Sequence, residues 1–251
     1  MFAVFFIVGL IYNFSRENST PLIYRIAIDE TWYPLKLYDE EQYISAFSED
    51  LLRAIAVEQH FSVQLEQAGT EDLLKGLDQG EYTGVLSSLI LYEENAEKYI
   101  SSNPYYLLGP VLVVSNTSHI KSLNDLKGKT IGIINRSEPV NILEKHSSIN
   151  FVFYNYNNIF KLIDDVSNKV IDGIILDMIP AYKYTKNGLY RDRLKVISMP
   201  LTNAGLRLIA KNNSESKKLI EKFNEGLKDL KKNGIYSQLL LKWELFNPEN
   251  P

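Results

Sequence analysis

Few residues in this chain have the type and spacing needed for covalent or metal chemistry. The three histidines, His60, His119 and His146, are scattered and show no HExxH or HxH spacing, so no metal site is expected. Cysteine is absent, which removes thiolate nucleophiles, disulfides, Cys-ligated metals and the cysteine acceptor of a lipid tether. There is no GxSxG and no P-loop pattern, and no cofactor is implied. Some polar and aromatic residues stand at the ends of predicted elements. Asp177 follows the strand-like run VIDGIIL, Trp32 stands before Tyr33 and Pro34, and Ser87 and Ser88 form a polar turn after a short apolar run. By themselves they have ordinary readings. A strand-end Asp serves as a helix cap or turn, and a Trp beside Pro can simply pack a loop.

Bulk properties bound the rest. The 251 residues allow one large domain or two lobes of roughly 100 residues each. With 45% hydrophobic and 23% charged residues the composition is that of an ordinary globular protein. A net charge of -4 argues against a nucleic-acid surface, which needs a concentrated basic stripe. The one dense basic patch, Lys217, Lys218, Lys222, Lys228, Lys231 and Lys232, is interleaved with acids at helical spacing and reads as a solvated helix face. The run from Phe2 to Tyr12 is almost wholly apolar and leads into a polar stretch. Eleven helical residues rise only about 16 Å, too short for a hydrocarbon core near 30 Å but suited to a signal-peptide core. No Lys or Arg precedes the run and no clear small-x-small cleavage site follows it. Residues 1–20 are therefore expected to be a signal peptide or membrane anchor, the alternative being a core element of the fold.

The elements that must position these residues alternate between strand and helix, which predicts an α/β architecture. Strands are expected at Ile23 to Ile28, Phe61 to Leu65 and Thr83 to Leu86. A second series is expected at Thr130 to Ile134, Phe151 to Tyr154, Val170 to Leu176 and Leu194 to Ile197. Phe47 to His60 reads as a helix capped by Ser48, and Thr70 to Leu77 as a shorter one. Ser122 to Lys127 is a helical turn; Asn158 to Ser167 and Ile179 to Thr185 are helices. The long helical region Ser214 to Leu245 breaks at Gly234. Two extended apolar connectors stand apart, Tyr105 to Ser115 and Met199 to Lys211, each with a proline and a glycine. If the second returns the chain to the first half, the two form side-by-side hinge strands between lobes. The alternative is that both are central strands of a single sheet.

From about Ile23 to Leu245 the order of motifs resembles the type II periplasmic solute-binding proteins of the polar amino-acid group, bacterial solute-binding protein family 3. The resemblance is carried by IAIDETWYPL, AFSEDLLRAIA, SSNPYY, SLNDLKGKTIG and GIYSQLLLKW, in that order. It implies two α/β lobes joined by two hinge strands, with a solute in the cleft. The expected division is 21–110 for the first part of lobe 1, 111–200 for lobe 2 and 201–251 for the return to lobe 1. It also implies site residues. Asp29 and Trp32 match an acidic and an aromatic position lining the pocket, where a ring suits an aliphatic or cationic group. Ser87 and Ser88 match the turn that binds the ligand's charged ends. Asp177 matches the lobe-2 carboxylate that pairs with an α-ammonium. Ser137 matches a small hydroxyl residue near a helix start, where backbone N–H groups favour an anion.

One departure bears on the ligand. The family holds an α-carboxylate with the arginine of a SxTxTxxR run, and here that run is SSLILYEEN, ending on Asn95. An amide offers donors without charge, so the bidentate ion pair is lost. Arg136, where the family usually has glycine, is the expected replacement from the other lobe; its alternative is a solvated surface residue. A ligand other than a simple α-amino acid is the third reading.

The implied function is the extracytoplasmic solute-binding component of an ABC importer, closing on a small polar solute, most simply an amino acid. Its expected partners are that ligand and an ABC permease, with no nucleic acid, and a monomer is expected. The rivals are an enzyme on the same scaffold, a dehydratase or lytic transglycosylase with Glu138 as acid, and a tethered sensing domain. No enzyme activity is expected.

Overall fold

The structure is a computed structural model that describes residues 23–33, 35, 37–134, 143, 148–186 and 189–249. Residues 1–20, the expected signal peptide or membrane anchor, lie outside these residues. Among the described residues no helix is long and apolar enough to cross a membrane.

The strands fall into two sheets. In the first, β1 (Ile23–Asp29) lies between β2 (Ser62–Ala68) and β3 (Gly84–Ser87), parallel to both. β11 (Gly205–Lys211) then pairs antiparallel with β3 and with β4 (Tyr99–Ser101). In the second, β7 (Thr130–Ile134) lies parallel to β8 (Asn150–Tyr154) and β9 (Gly173–Leu176). β6 (Val111–Ser115) and β10 (Leu194–Val196) complete it in antiparallel pairing. Parallel neighbours require crossovers, and helices supply them. They are α1 (Glu41–Glu58) and α2 (Thr70–Gln79) in lobe 1, with α4 (Ile159–Ser167) joining β8 to β9 in lobe 2. The single-turn α3 (Glu93–Ala96) leads into β4, and α5 (Met178–Lys186) follows β9.

Each sheet is covered on both faces, which is why its central strands read as unbroken apolar runs. In lobe 1, Ile26, Ile28, Leu206 and Leu208 pack under Phe47, Leu51 and Ile55 of α1. The same core takes Leu219, Phe223 and Leu227 of α6 (Ser214–Lys232). The other face buries Ala27, Val85 and Ile209 against Leu73 and Leu77 of α2. Lobe 2 repeats the arrangement with two separate cores, one on each face of its sheet.

The two connectors resolve into the crossing between sheets. β5 (Tyr106–Leu107) pairs with the start of β11 in the first sheet, and after three intervening residues β6 opens in the second. Leu108 N donates to Ala204 O at 2.9 Å, and Leu201 N to Pro110 O at 2.7 Å, so the two passages run side by side. Glycine is needed where they touch. A Cβ on Gly205 would lie 2.4 Å from Tyr106 O, and one on Gly109 2.5 Å from Thr202 Oγ1.

Two local expectations are corrected. α1 begins at Glu41, so Ser48 is not its N-cap but a buried mid-helix residue. Its Oγ donates to Ile44 O at 2.7 Å and accepts from Tyr105 Oη at 2.8 Å, a bond that ties the helix to the hinge segment. β9 opens at Gly173, three residues later than expected, because Val170 and Ile171 N–H groups turn back to Asp165 O. Gly234 does break the C-terminal helical region. At φ 86° it stands between α6 and α7 (Ile235–Lys242), a conformation that favours glycine.

Candidate functional site

The carboxyl end of β1 carries Asp29, fully buried. Its Oδ1 accepts from Thr31 N at 3.1 Å, Trp32 N at 3.1 Å and Thr70 Oγ1 at 2.7 Å, and its Oδ2 from Ser87 Oγ at 2.7 Å. A carboxylate has about four acceptor sites, so these donors nearly saturate it. Asp29 thereby ties β1, the end of β3 and the first residue of α2 into one unit. The Thr31 bond is the side-chain-to-backbone closure that Asp offers two residues on, and it starts the turn that carries Trp32.

Trp32 does not present its ring to the cleft. At φ 57° the chain turns the indole inward, where it is fully buried in the lobe-1 core and Nε1 donates to Ser45 Oγ at 3.0 Å. The expectation of an aromatic wall at Trp32 is corrected accordingly; Tyr33, next in the chain, is 66% exposed. Ser88 completes the unit by donating from Oγ to Trp32 O. Four predicted residues, Asp29, Trp32, Ser87 and Ser88, therefore share one hydrogen-bonded network. Thr31 and Thr70 belong to it and were not anticipated. The D-x-T spacing was a usable signal for Thr31, whereas Thr70 is 41 residues from Asp29 and left none. Asn95 sits on α3, partly exposed, and among the described residues no side-chain hydrogen bond links it to this network.

In lobe 2, Asp177 follows β9 at the carboxyl end of its sheet and opens α5, where its carbonyl accepts from Ala181 N at 3.0 Å. Its side chain is exposed, and Oδ2 accepts from Tyr38 Oη of lobe 1 at 3.4 Å. Lys183 of α5 donates to Tyr38 O at 3.3 Å and lies 3.8 Å from Glu40. Tyr38 and Asp39 are consecutive non-glycine residues at φ 54° and 72°, a strained turn that brings the phenol to the opposite lobe. The carboxyl ends of the two sets of parallel strands therefore face one another, the place where open α/β sheets bind ligands. Arg136 and Ser137, which follow β7 in the sequence, lie outside the described residues, as does Glu138.

The lobes also meet away from these polar ends. Tyr182 of α5 stacks on Phe246 with centroids 3.9 Å apart and planes 1° from parallel. Burial pushes the Tyr182 phenol up to about 12. A cavity of about 540 Å³ on this flank is walled by Ile44, Tyr106, Ile179, Tyr182 and Phe246. Neither Asp29 nor Asp177 lines it, so it is a feature of lobe packing and not the polar cleft. Among the described residues no group of three His, Cys, Asp or Glu side chains could hold a metal ion.

A family model described as bacterial extracellular solute-binding proteins, family 3, matches residues 24–247. The chain belongs to this family. Among its relatives, the arginine-binding extracellular protein ArtP of Bacillus subtilis (strain 168) is 26% identical over 207 residues, 82% of this chain and 80% of that protein. The ABC transporter arginine-binding protein 1 of Escherichia coli (strain K12) is 24% identical over 239 residues, 94% of this chain and 96% of that one. Substrate binding domain 2 of Lactococcus lactis GlnP, in an open conformation, superposes with a TM-score of 0.61 at 25% identity, covering 89% and 96% of the two chains. The unliganded open L-cystine solute receptor of Neisseria gonorrhoeae gives 0.67 at 21% identity, covering 89% and 93%. The fold of this solute-binding protein is thus the type II periplasmic binding fold, two α/β lobes joined by two hinge strands.

Proposed function

We propose that this solute-binding protein takes an amino acid, or a similarly small zwitterionic solute, into the cleft between its lobes and presents it to an ABC permease. The observation that carries the reading is the opposition of two polar strand ends. The hydroxyl-rich Asp29 unit of lobe 1 faces the exposed Asp177 carboxylate of lobe 2, with Tyr38 reaching between them. In this reading Asp177 receives the solute's ammonium group, and the turn at 30–33, held in place by Ser87 and Ser88, offers polar groups from the other side. Asp29 acts by holding that turn, because its own acceptors are occupied within lobe 1. Relatives whose names record arginine binding support an amino acid as the solute class.

Recognition of this kind needs no bond to be made or broken, so no catalytic residue is assigned. The solute stabilises the closed arrangement only by the difference between its affinities for the closed and open states. The protein acts as a monomer outside the cytoplasm, exported or held by residues 1–20. A thermal-shift screen of the twenty amino acids tests the proposal, since a ligand that binds only the folded protein raises its stability. At least one is expected to raise the melting temperature in a concentration-dependent way. No shift with any of them, and none by calorimetry, would remove the amino-acid assignment.

A further inference from the structure

Within β11, whose last residue is Lys211, Arg207 is the charged side chain that interrupts the apolar stretch GLRLIA. Antiparallel register places it directly opposite Ser87 on β3, and Ser87 in turn bonds Asp29 on β1. Alternation along the strands puts these residues on the same face as Ala27, Val85 and Ile209, two positions nearer the carboxyl ends of β1 and β3. Asp29, Ser87 and Arg207 therefore form a row across three adjacent strands at the end of the lobe-1 sheet that faces lobe 2.

The guanidinium in that row is half-buried and held in place by two backbone carbonyls. Nη1 donates to Ser102 O at 3.1 Å and Nη2 to Asn203 O at 2.8 Å. Among the described residues no carboxylate lies within ion-pair distance of it. Burial draws its pKa down from the usual arginine value, as expected for a cation with no counter-charge. Asp29, two strands away, is not that counter-charge, because its oxygens are already taken by Thr31, Trp32, Thr70 and Ser87. A fixed, partly desolvated guanidinium that still has N–H donors to give is chemically an oxyanion receptor.

We propose that Arg207 is the lobe-1 receptor for the anionic group of the bound solute, a carboxylate if the solute is an amino acid. The inference rests on the cleft reading given above and deepens it. It gives the charge absent at Asn95 a source on the neighbouring strand, β11, without calling on Arg136. With Asp177 across the cleft, the solute's negative end docks on lobe 1 and its positive end on lobe 2. Only a solute carrying both charges engages both lobes.

The rival role for Arg207 is purely structural, pinning Ser102 and Asn203 where the chain enters and leaves the hinge. The two separate when the ligand is edited together with the residue. The wild type, Arg207→Gln and Arg207→Lys are titrated by calorimetry with the amino acid giving the largest thermal shift, and with its neutral carboxamide. Arg207→Gln is expected to weaken the acid about 10- to 150-fold while changing the carboxamide by less than about threefold, with Arg207→Lys between. Equal losses for both ligands, or no loss for the acid, would overturn the proposal. If no amino acid binds the wild type, the cleft reading fails by itself. Arg207 is then decided by titrating protein labelled with 15N-arginine with acetate alone. A saturable movement of the Arg207 side-chain resonance, assigned through Arg207→Lys, supports an anion receptor, and an unmoved resonance overturns it.

Discussion

The polar ends of the two lobes are built in opposite ways. In lobe 1 the carboxylate is fully buried and bonded to three elements of its own lobe, so the end of the sheet is preorganised. In lobe 2 Asp177 is exposed at the start of a helix, and one of its oxygens meets a tyrosine from across the cleft. The same residue type thus does two jobs. Asp29 holds a surface in shape, and Asp177 stands exposed at the end of the lobe-2 sheet, in contact with lobe 1 through Tyr38. The difference teaches that carboxylates at the ends of parallel strands can be buried inside their own lobe, as Asp29 is, or stand exposed towards the other lobe, as Asp177 does.

The comparison breaks most sharply by removing each carboxylate in turn. Asp29→Ala leaves Ser87, Thr70 and two backbone N–H groups without their acceptor, and is expected to lower stability by about 3–5 kcal/mol. Asp177→Ala should change stability by no more than about 0.5 kcal/mol, the usual range for a surface site, while weakening solute binding about 10- to 150-fold. Urea denaturation and calorimetry on both variants measure the four quantities. Equal destabilisation by the two would erase the distinction between scaffold and contact.

The hinge comes next in size. Gly205→Ala places a Cβ against the Tyr106 carbonyl, and overpacking of that kind costs about 1–3 kcal/mol. Because the clash lies where β5 and β11 cross between lobes, the distribution of interlobe distances should shift as well, read by single-molecule energy transfer. Tyr38→Phe removes only the phenol hydroxyl from Asp177 and is expected to leave stability within about 0.5 kcal/mol of the wild type. Its effect should be confined to the interlobe distance distribution of the ligand-free protein.

Alkaline titration gives the smallest effect and compares the lobes again. In lobe 2, burial raises Tyr154 to about 12, helped by its hydrogen bond to Asp165, and raises Tyr182 to about 12. In lobe 1, burial pushes Tyr105 and Tyr236 higher still. A phenol ionising near 10 when unfolded and higher when folded stabilises the fold fully below about pH 10. That contribution is lost as the pH rises through the folded value. Tyrosinate absorbance should therefore show the lobe-2 phenols ionising before these two lobe-1 phenols.

How far the molecule was legible in its sequence depended on distance along the chain. SLNDLKGKTIG announced a helical turn and a strand, and both form, the turn closed by a capping box in which Asp125 accepts from Ser122 N at 3.0 Å. Gly234 announced the break between the last helices. The start of α1 was hidden because Glu40 makes no side-chain cap and Ser48 carries the usual capping signal for a different reason. The inward turn of Trp32 depends on a left-handed backbone that no local pattern specified. Tyr38 meets Asp177 across 139 residues, and Arg207 meets Ser87 only through strand register. Resemblance to a family named positions, and only the folded chain distinguished the buried carboxylate, Asp29, from the exposed one, Asp177.

The central claim is that the lobes close on a solute whose ammonium group reaches Asp177. Small-angle scattering with and without the amino acid selected by thermal shift, on the wild type and on Asp177→Ala, tests it most directly. The radius of gyration should fall on saturation of the wild type and stay unchanged in Asp177→Ala at the same ligand concentration. Binding measured by calorimetry with no compaction of the wild type, or equal compaction of both proteins, would contradict the account.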